Sequence, residues 1–200
     1  MPSEYDPLFP ARRNLEARDD LEPVRELFQA AGRPFLRSPL SWFAWAVILP
    51  LAAFCTPIAF RMGGPTWVLF TWSGAILLGG VVEFLGIRRS GGFGIASTPL
   101  ASWALRVQGN LSLVAIALSV LALWLDQAWI LPGVWLLLLG HSFYALGGLS
   151  FDAFRVCGIV YQIGGLAALW PDGHPLPVFA AATALGNLWM GVAVWRTRYD

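Results

Sequence analysis

The chain has 200 residues, of which 57% are hydrophobic and only 12% charged, with a formal net charge of +1. A soluble domain carries about twice that charge, so this balance points to a lipid bilayer and argues against nucleic acid as a partner. All thirteen basic residues are Arg. The codon bias of a GC-rich genome accounts for this more simply than selection for guanidinium contacts to lipid phosphates.

Residues 1–40 read as a polar tail of mixed sign. They lack the basic start and apolar core of a cleavable signal peptide, so the first apolar stretch is expected to act as its own uncleaved insertion signal. One short amphipathic helix is predicted within the tail. Pro23 opens it, Leu21, Val24, Leu27, Phe28 and Ala31 form its stripe, and Gly32 and Pro34 stop it.

Residues 41–200 read as one all-α transmembrane domain with six spans at about 41–61, 66–87, 101–125, 128–148, 152–170 and 175–195, each near the ~20 residues a bilayer crossing requires. Gly63-Gly64-Pro65, Asp126-Gln127 and Pro171-Asp172-Gly173 are short joints that make three helical hairpins. With the tail inside, twelve of the thirteen Arg fall on or near the cytoplasmic side and only Arg61 lies opposite, which predicts cytoplasmic N and C termini. Trp42, Trp67, Trp103, Trp124, Trp129, Trp170 and Trp195 fall near span ends, as an aromatic belt does.

The second span of each hairpin carries small residues seven apart: Gly79 and Gly86, Gly140 and Gly147, Gly186 and Ala193. That spacing returns to one helix face, so these positions are candidate packing strips and the hairpins candidate parallel two-helix repeats. Arg106-Val107-Gln108-Gly109 and Arg155-Val156-Cys157-Gly158 match in the same sense. Cys55 and Cys157 fall at different depths and are read as buried small packing residues.

Ionisable residues within spans are functional candidates because burying charge in lipid is costly. Glu83, Arg106, Asp152 and Arg155 form the candidate polar cluster toward the cytoplasmic leaflet, with Glu83–Arg106 and Asp152–Arg155 as the expected pairs. Snorkelling and structural pairing are the simpler account of them. His141 is a candidate ligand or pigment contact, since Gly140 and Gly147 leave room beside it for a flat ring. A hydrogen bond to a neighbouring helix is the plainer role, and one histidine does not make a conventional metal site. No cofactor is specified. No catalytic set emerges either: there is no HExxH, no paired acidic motif, and Gly91-Gly92-Phe93-Gly94 lacks the lysine of a phosphate loop.

In texture, chiefly the Trp-rich and Gly-rich hairpins and the run from Leu131 to Gly140, residues 40 to 195 resemble small bacterial inner-membrane proteins built of transmembrane hairpins. The resemblance implies a bacterial inner membrane and transfers no functional residue. The expected function is a non-enzymatic accessory or assembly subunit of a larger membrane complex, photosynthetic or respiratory, in contact with membrane-protein partners. The alternative is a small transporter or channel using the Glu/Arg cluster.

Overall fold

The computed structural model describes residues 38–89, 99–147 and 151–197. The expected tail helix, the connection after Arg89 and the joint after Gly147 lie outside them in whole or in part. The described chain is helical: α1 Pro39–Arg89, α2 Pro99–Trp124, a 3-10 turn Ala128–Ile130, α3 Leu131–Gly147, α4 Asp152–Ala168 and α5 Pro175–Arg196. Four segments, Pro39–Gly86, Arg106–Trp124, Ala128–Gly147 and Pro175–Arg196, are long and apolar enough to cross a membrane, and the chain is a multi-pass membrane protein. At 17 residues, α4 is about 26 Å long, just short of a ~30 Å hydrocarbon core.

As a straight rod, the 51 residues of α1 would run about 77 Å, more than twice that core. They do not run straight. Gly63 and Gly64 leave the helical region, and Gly64 takes φ 66°, which a residue without Cβ adopts at little cost. The two arms fold back on each other: Trp72 Nε1 donates to Thr56 Oγ1 at 3.1 Å, Gly79 faces the Trp45 ring, and Gly86 faces Ser38 and Ser41. Pro50, Pro57 and Pro65 lie within α1, and the non-helical angles are confined to the two glycines.

α2 and α3 fold back in the same way. Trp135 Nε1 donates to Ser119 Oγ at 3.1 Å, and the Ser142 hydroxyl donates to the Gln108 side-chain oxygen. Asp126 makes the turn with φ 56°, a left-handed conformation that Asp tolerates better than most residues. The third pair, α4 and α5, meets at Gly164 against Ala182 and at Gly186 against Tyr161 and Cys157.

The pairs then pack together. α3 lies antiparallel on α4 from Gly133 beside Leu169 to Gly147 beside Arg155. α1 packs on α5 through both arms, with Phe43 against Gly191 and the Trp72 and Phe179 ring centroids 5.5 Å apart. α2 packs chiefly on α3. These contacts put the three turns at one end of the bundle and leave α1 and α2 on its flanks. The core sits around α4 and α5, where Tyr161, Cys157, Met190, Val194 and Thr183 are buried with Leu136 of α3.

Candidate functional site

Three sets of residues are brought together, and none coincides with the cluster expected from the intramembrane charges. The first is a glycine seam between α3 and α4. Gly133, Gly140 and Gly147 repeat at seven-residue spacing on α3, and Gly158 and Gly165 do so on α4. A Cβ placed on Gly140 would stand 2.8 Å from the Gly158 carbonyl oxygen, and one on Gly158 would stand 2.7 Å from the Gly140 oxygen. Backbone meets backbone, so no side chain can give way. Glycine strips of this kind let apolar helices gain dispersion contact in lipid, where no hydrophobic effect holds them together. Gly140 and Gly147 were expected as packing residues from their spacing. Gly133, Gly158 and Gly165 carry the same seven-residue signal and were missed.

The second set is a repeated hydrogen bond inside the first two pairs. The Thr56 hydroxyl donates to the Ala52 carbonyl at 2.8 Å and accepts from Trp72 at 3.1 Å; the Ser119 hydroxyl donates to the Ala115 carbonyl at 2.7 Å and accepts from Trp135 at 3.1 Å. Each hydroxyl satisfies its own helix and its neighbour in one step. The correspondence at a shift of 63 positions goes further. Trp45 faces Gly79 as Gln108 faces Ser142, Ala52 and Ala59 are buried as Ala115 and Ala122 are, and the positive-φ turns at Gly64 and Asp126 stand at nearly equivalent places. Gly79 thus answers Ser142, two positions beyond its expected match at Gly140.

The third set lies in the core. Tyr161 is 1% exposed and its side chain hydrogen-bonds Asn187. Asn187 Nδ2 also donates to the Thr183 carbonyl at 2.8 Å, and Thr183 Oγ1 donates to the Phe179 carbonyl at 2.8 Å. Cys157 Sγ and the Tyr161 ring crowd the face of Gly186, which explains why that position is glycine. Among the described residues no buried side-chain nitrogen or oxygen lacks a partner, so this polar core is closed on itself. Around it stands an aromatic group in which Phe143 contacts Trp42, Phe154 and Tyr161 at centroid distances of 5.9, 5.9 and 5.6 Å. Sequence patterning did not single out Asn187, Tyr161 or Phe143, because their partners lie on other helices.

The expected charged cluster is dispersed. Arg155 and Asp152 approach at 3.7 Å as an i,i+3 pair, with 50% and 83% of their side chains exposed, which makes it a surface pair of small energetic weight. Glu83 and Arg106 are both exposed, and among the described residues no ion pair joins them. His141 also faces outward on α3, beside exposed Tyr144, and makes no hydrogen bond among the described residues. Its neighbour Gly140 faces the seam instead, so the room expected beside the imidazole is filled by α4. Among the described residues no group of three metal-ligating side chains occurs.

Comparisons with protein-family models, with curated proteins and with solved structures found no match.

Proposed function

We propose that this chain is a non-enzymatic integral membrane protein that serves as an accessory or assembly subunit of a larger membrane complex. In this reading it crosses the bacterial inner membrane six times as three hairpins, with both termini in the cytoplasm. Folding back of α1 at Gly63–Gly64, and the small shortfall of α4, about three residues, support six crossings. The open end of the bundle then carries Arg88, Arg89, Arg106, Arg155 and Arg196, as cytoplasmic ends do, whereas Arg61 sits at the turn end.

The observation that carries the functional reading is the direction in which the polar residues of the spans face. Asn110 and His141 lie deeper in their spans and are exposed on the outside of the bundle, with Glu83 and Arg106 exposed nearer its open end. In a protein that stands alone in lipid, polar groups at such depth turn inward, because unpartnered polar groups in hydrocarbon are costly. Facing outward, Asn110 and His141 call for another protein surface. The transporter alternative needs Glu83 and Arg106 to line an inner site, and their outward placement favours the subunit reading.

The test is the native mass and absorption spectrum of the protein after gentle extraction from its host membrane. Co-migration with other subunits in a large particle is the expected result. A colourless particle of this chain alone, together with uptake in liposomes that disappears in Arg106→Gln, would overturn the reading in favour of transport. A visible chromophore lost in His141→Ala would assign His141 a pigment contact; no visible absorption would remove that role.

A further inference from the structure

Glu83 and Arg106 share more than opposite charge. Glu83 lies on the second arm of α1, roughly 20 residues from the Gly63–Gly64 break, and Arg106 lies on α2, roughly 20 residues before the Asp126 turn. Each is therefore about 30 Å along its helix from the turn end, and the two stand at the same height in the bundle. They stand on different flanks, because α1 packs on α5 and α2 on α3, with the α3–α4–α5 core between.

Each charge also has an exposed glycine one helical turn toward the turn end: Gly80 below Glu83 and Gly109 below Arg106. A Cβ built on either glycine meets nothing within 4 Å. Every buried glycine of α3, α4 and α5 is filled by a neighbouring helix, so these two are open packing positions on outward faces. About two turns nearer the turn end, each flank carries exposed apolar side chains, Ile76 and Leu77 on one and Leu113 and Val114 on the other. A short Glu side chain reaches a guanidinium on another helix only if the backbones approach closely, and an open glycine beside each charge permits that approach.

We propose that these two flanks bind each other between copies of the chain, with Glu83 of one protomer pairing with Arg106 of the partner subunit and Gly80 set against the α2 helix of that copy. Equal height means that copies inserted in the same orientation meet in register. Because the paired patches are different surfaces, the contact is heterologous and closes as a ring when the rotation per copy allows. This association involves the chain alone and does not depend on its serving a larger complex.

The experiment uses the full chain in a Cys55→Ala background, reconstituted in lipid vesicles, with Cys157 left in place because it is buried. Glu83→Cys and Arg106→Cys are introduced singly and together and oxidised with a mild catalyst. The double variant is expected to give a ladder of covalent oligomers. A mixture of the two single variants is expected to give dimers containing one of each, at least several-fold above either single variant alone. In parallel, Glu83→Arg and Arg106→Glu are each expected to lower the native mass to that of the protomer, and the combined exchange to restore it. Helical circular dichroism retained in the single exchanges separates loss of association from loss of folding. A monomer in lipid with no cross-link would overturn the proposal, as would dimers formed only between like cysteines. Bound anionic lipid lost in Arg106→Gln without change of mass would overturn it too, by assigning Arg106 to a headgroup.

Discussion

α2 and α5 are similar in length and both apolar enough to span a membrane, yet 11% of the apolar span of α2 is buried inside the molecule against 50% of that of α5. Apolar content therefore does not decide which helix becomes the hub. In lipid a leucine gains little by facing protein rather than acyl chains, so burial follows small residues and polar partners instead. The buried face of α5 carries Ala180, Ala182, Thr183, Gly186, Asn187 and Gly191 beside the larger Phe179, Met190 and Val194. Among the described residues of α2, Ala115 and Ala122 are buried, and Gln108 and Ser119 bond to α3.

The sharpest way to break this contrast is to make one change in two places. Gly140→Ala or Gly158→Ala drives a methyl group into a facing backbone, and a loss of about 1–3 kcal/mol is expected from overpacking. Gly109→Ala on α2 meets open space within its own copy and, in micelles dilute enough to hold single copies, is expected to leave stability unchanged or to raise it by up to about 1 kcal/mol through helix propensity. Unfolding in mixed micelles, followed by tryptophan fluorescence, measures both. Equal losses at Gly140 and Gly109 would mean that the seam does not hold the hub.

Asn187→Leu comes next. It removes the donor to Thr183 and leaves the Tyr161 hydroxyl buried without its partner, at a cost of about 1–3 kcal/mol; Asn110→Leu on the exposed face of α2 is expected to be neutral in the same assay. Trp72→Phe and Trp135→Phe each lose one interhelical hydrogen bond, worth about 0.6–1.7 kcal/mol in a membrane protein. If the two arms of α1 and the pair α2–α3 are structural equivalents, the two losses should agree within about 0.5 kcal/mol. The smallest effect belongs to Asp152→Asn, within about 0.5 kcal/mol, because that ion pair is solvent-facing and weak.

The sequence made the helices legible through their length and apolar content, and the turns through Gly63-Gly64 and Asp126-Gln127. The break in α1 is a case in point: two adjacent glycines before Pro65 are a strong local signal whatever surrounds them. The candidate site was less legible. When every face of a helix is apolar, no periodicity marks the inner one, so Glu83, Arg106 and His141 could be placed in depth but not in direction. Partners such as Tyr161 and Asn187 depend on how two helices align and carry no local mark. Thr56 with Trp72 and Ser119 with Trp135 did leave a trace, since both pairs are 16 residues apart and recur 63 positions on. A comparison at fixed offset finds it; a comparison of Leu-Gly words does not.

The place of α5 in the chain bears on how the molecule is made. The helix on which α1 packs through both arms leaves the ribosome after the helices that need it. During that interval α1 lacks the helix on which both of its arms pack, while the Trp72–Thr56 and Trp135–Ser119 bonds need only residues already made. Both hydroxyl–tryptophan links lie wholly within residues made before α5, so a chain stopped before residue 175 would contain them without the helix on which both arms of α1 pack.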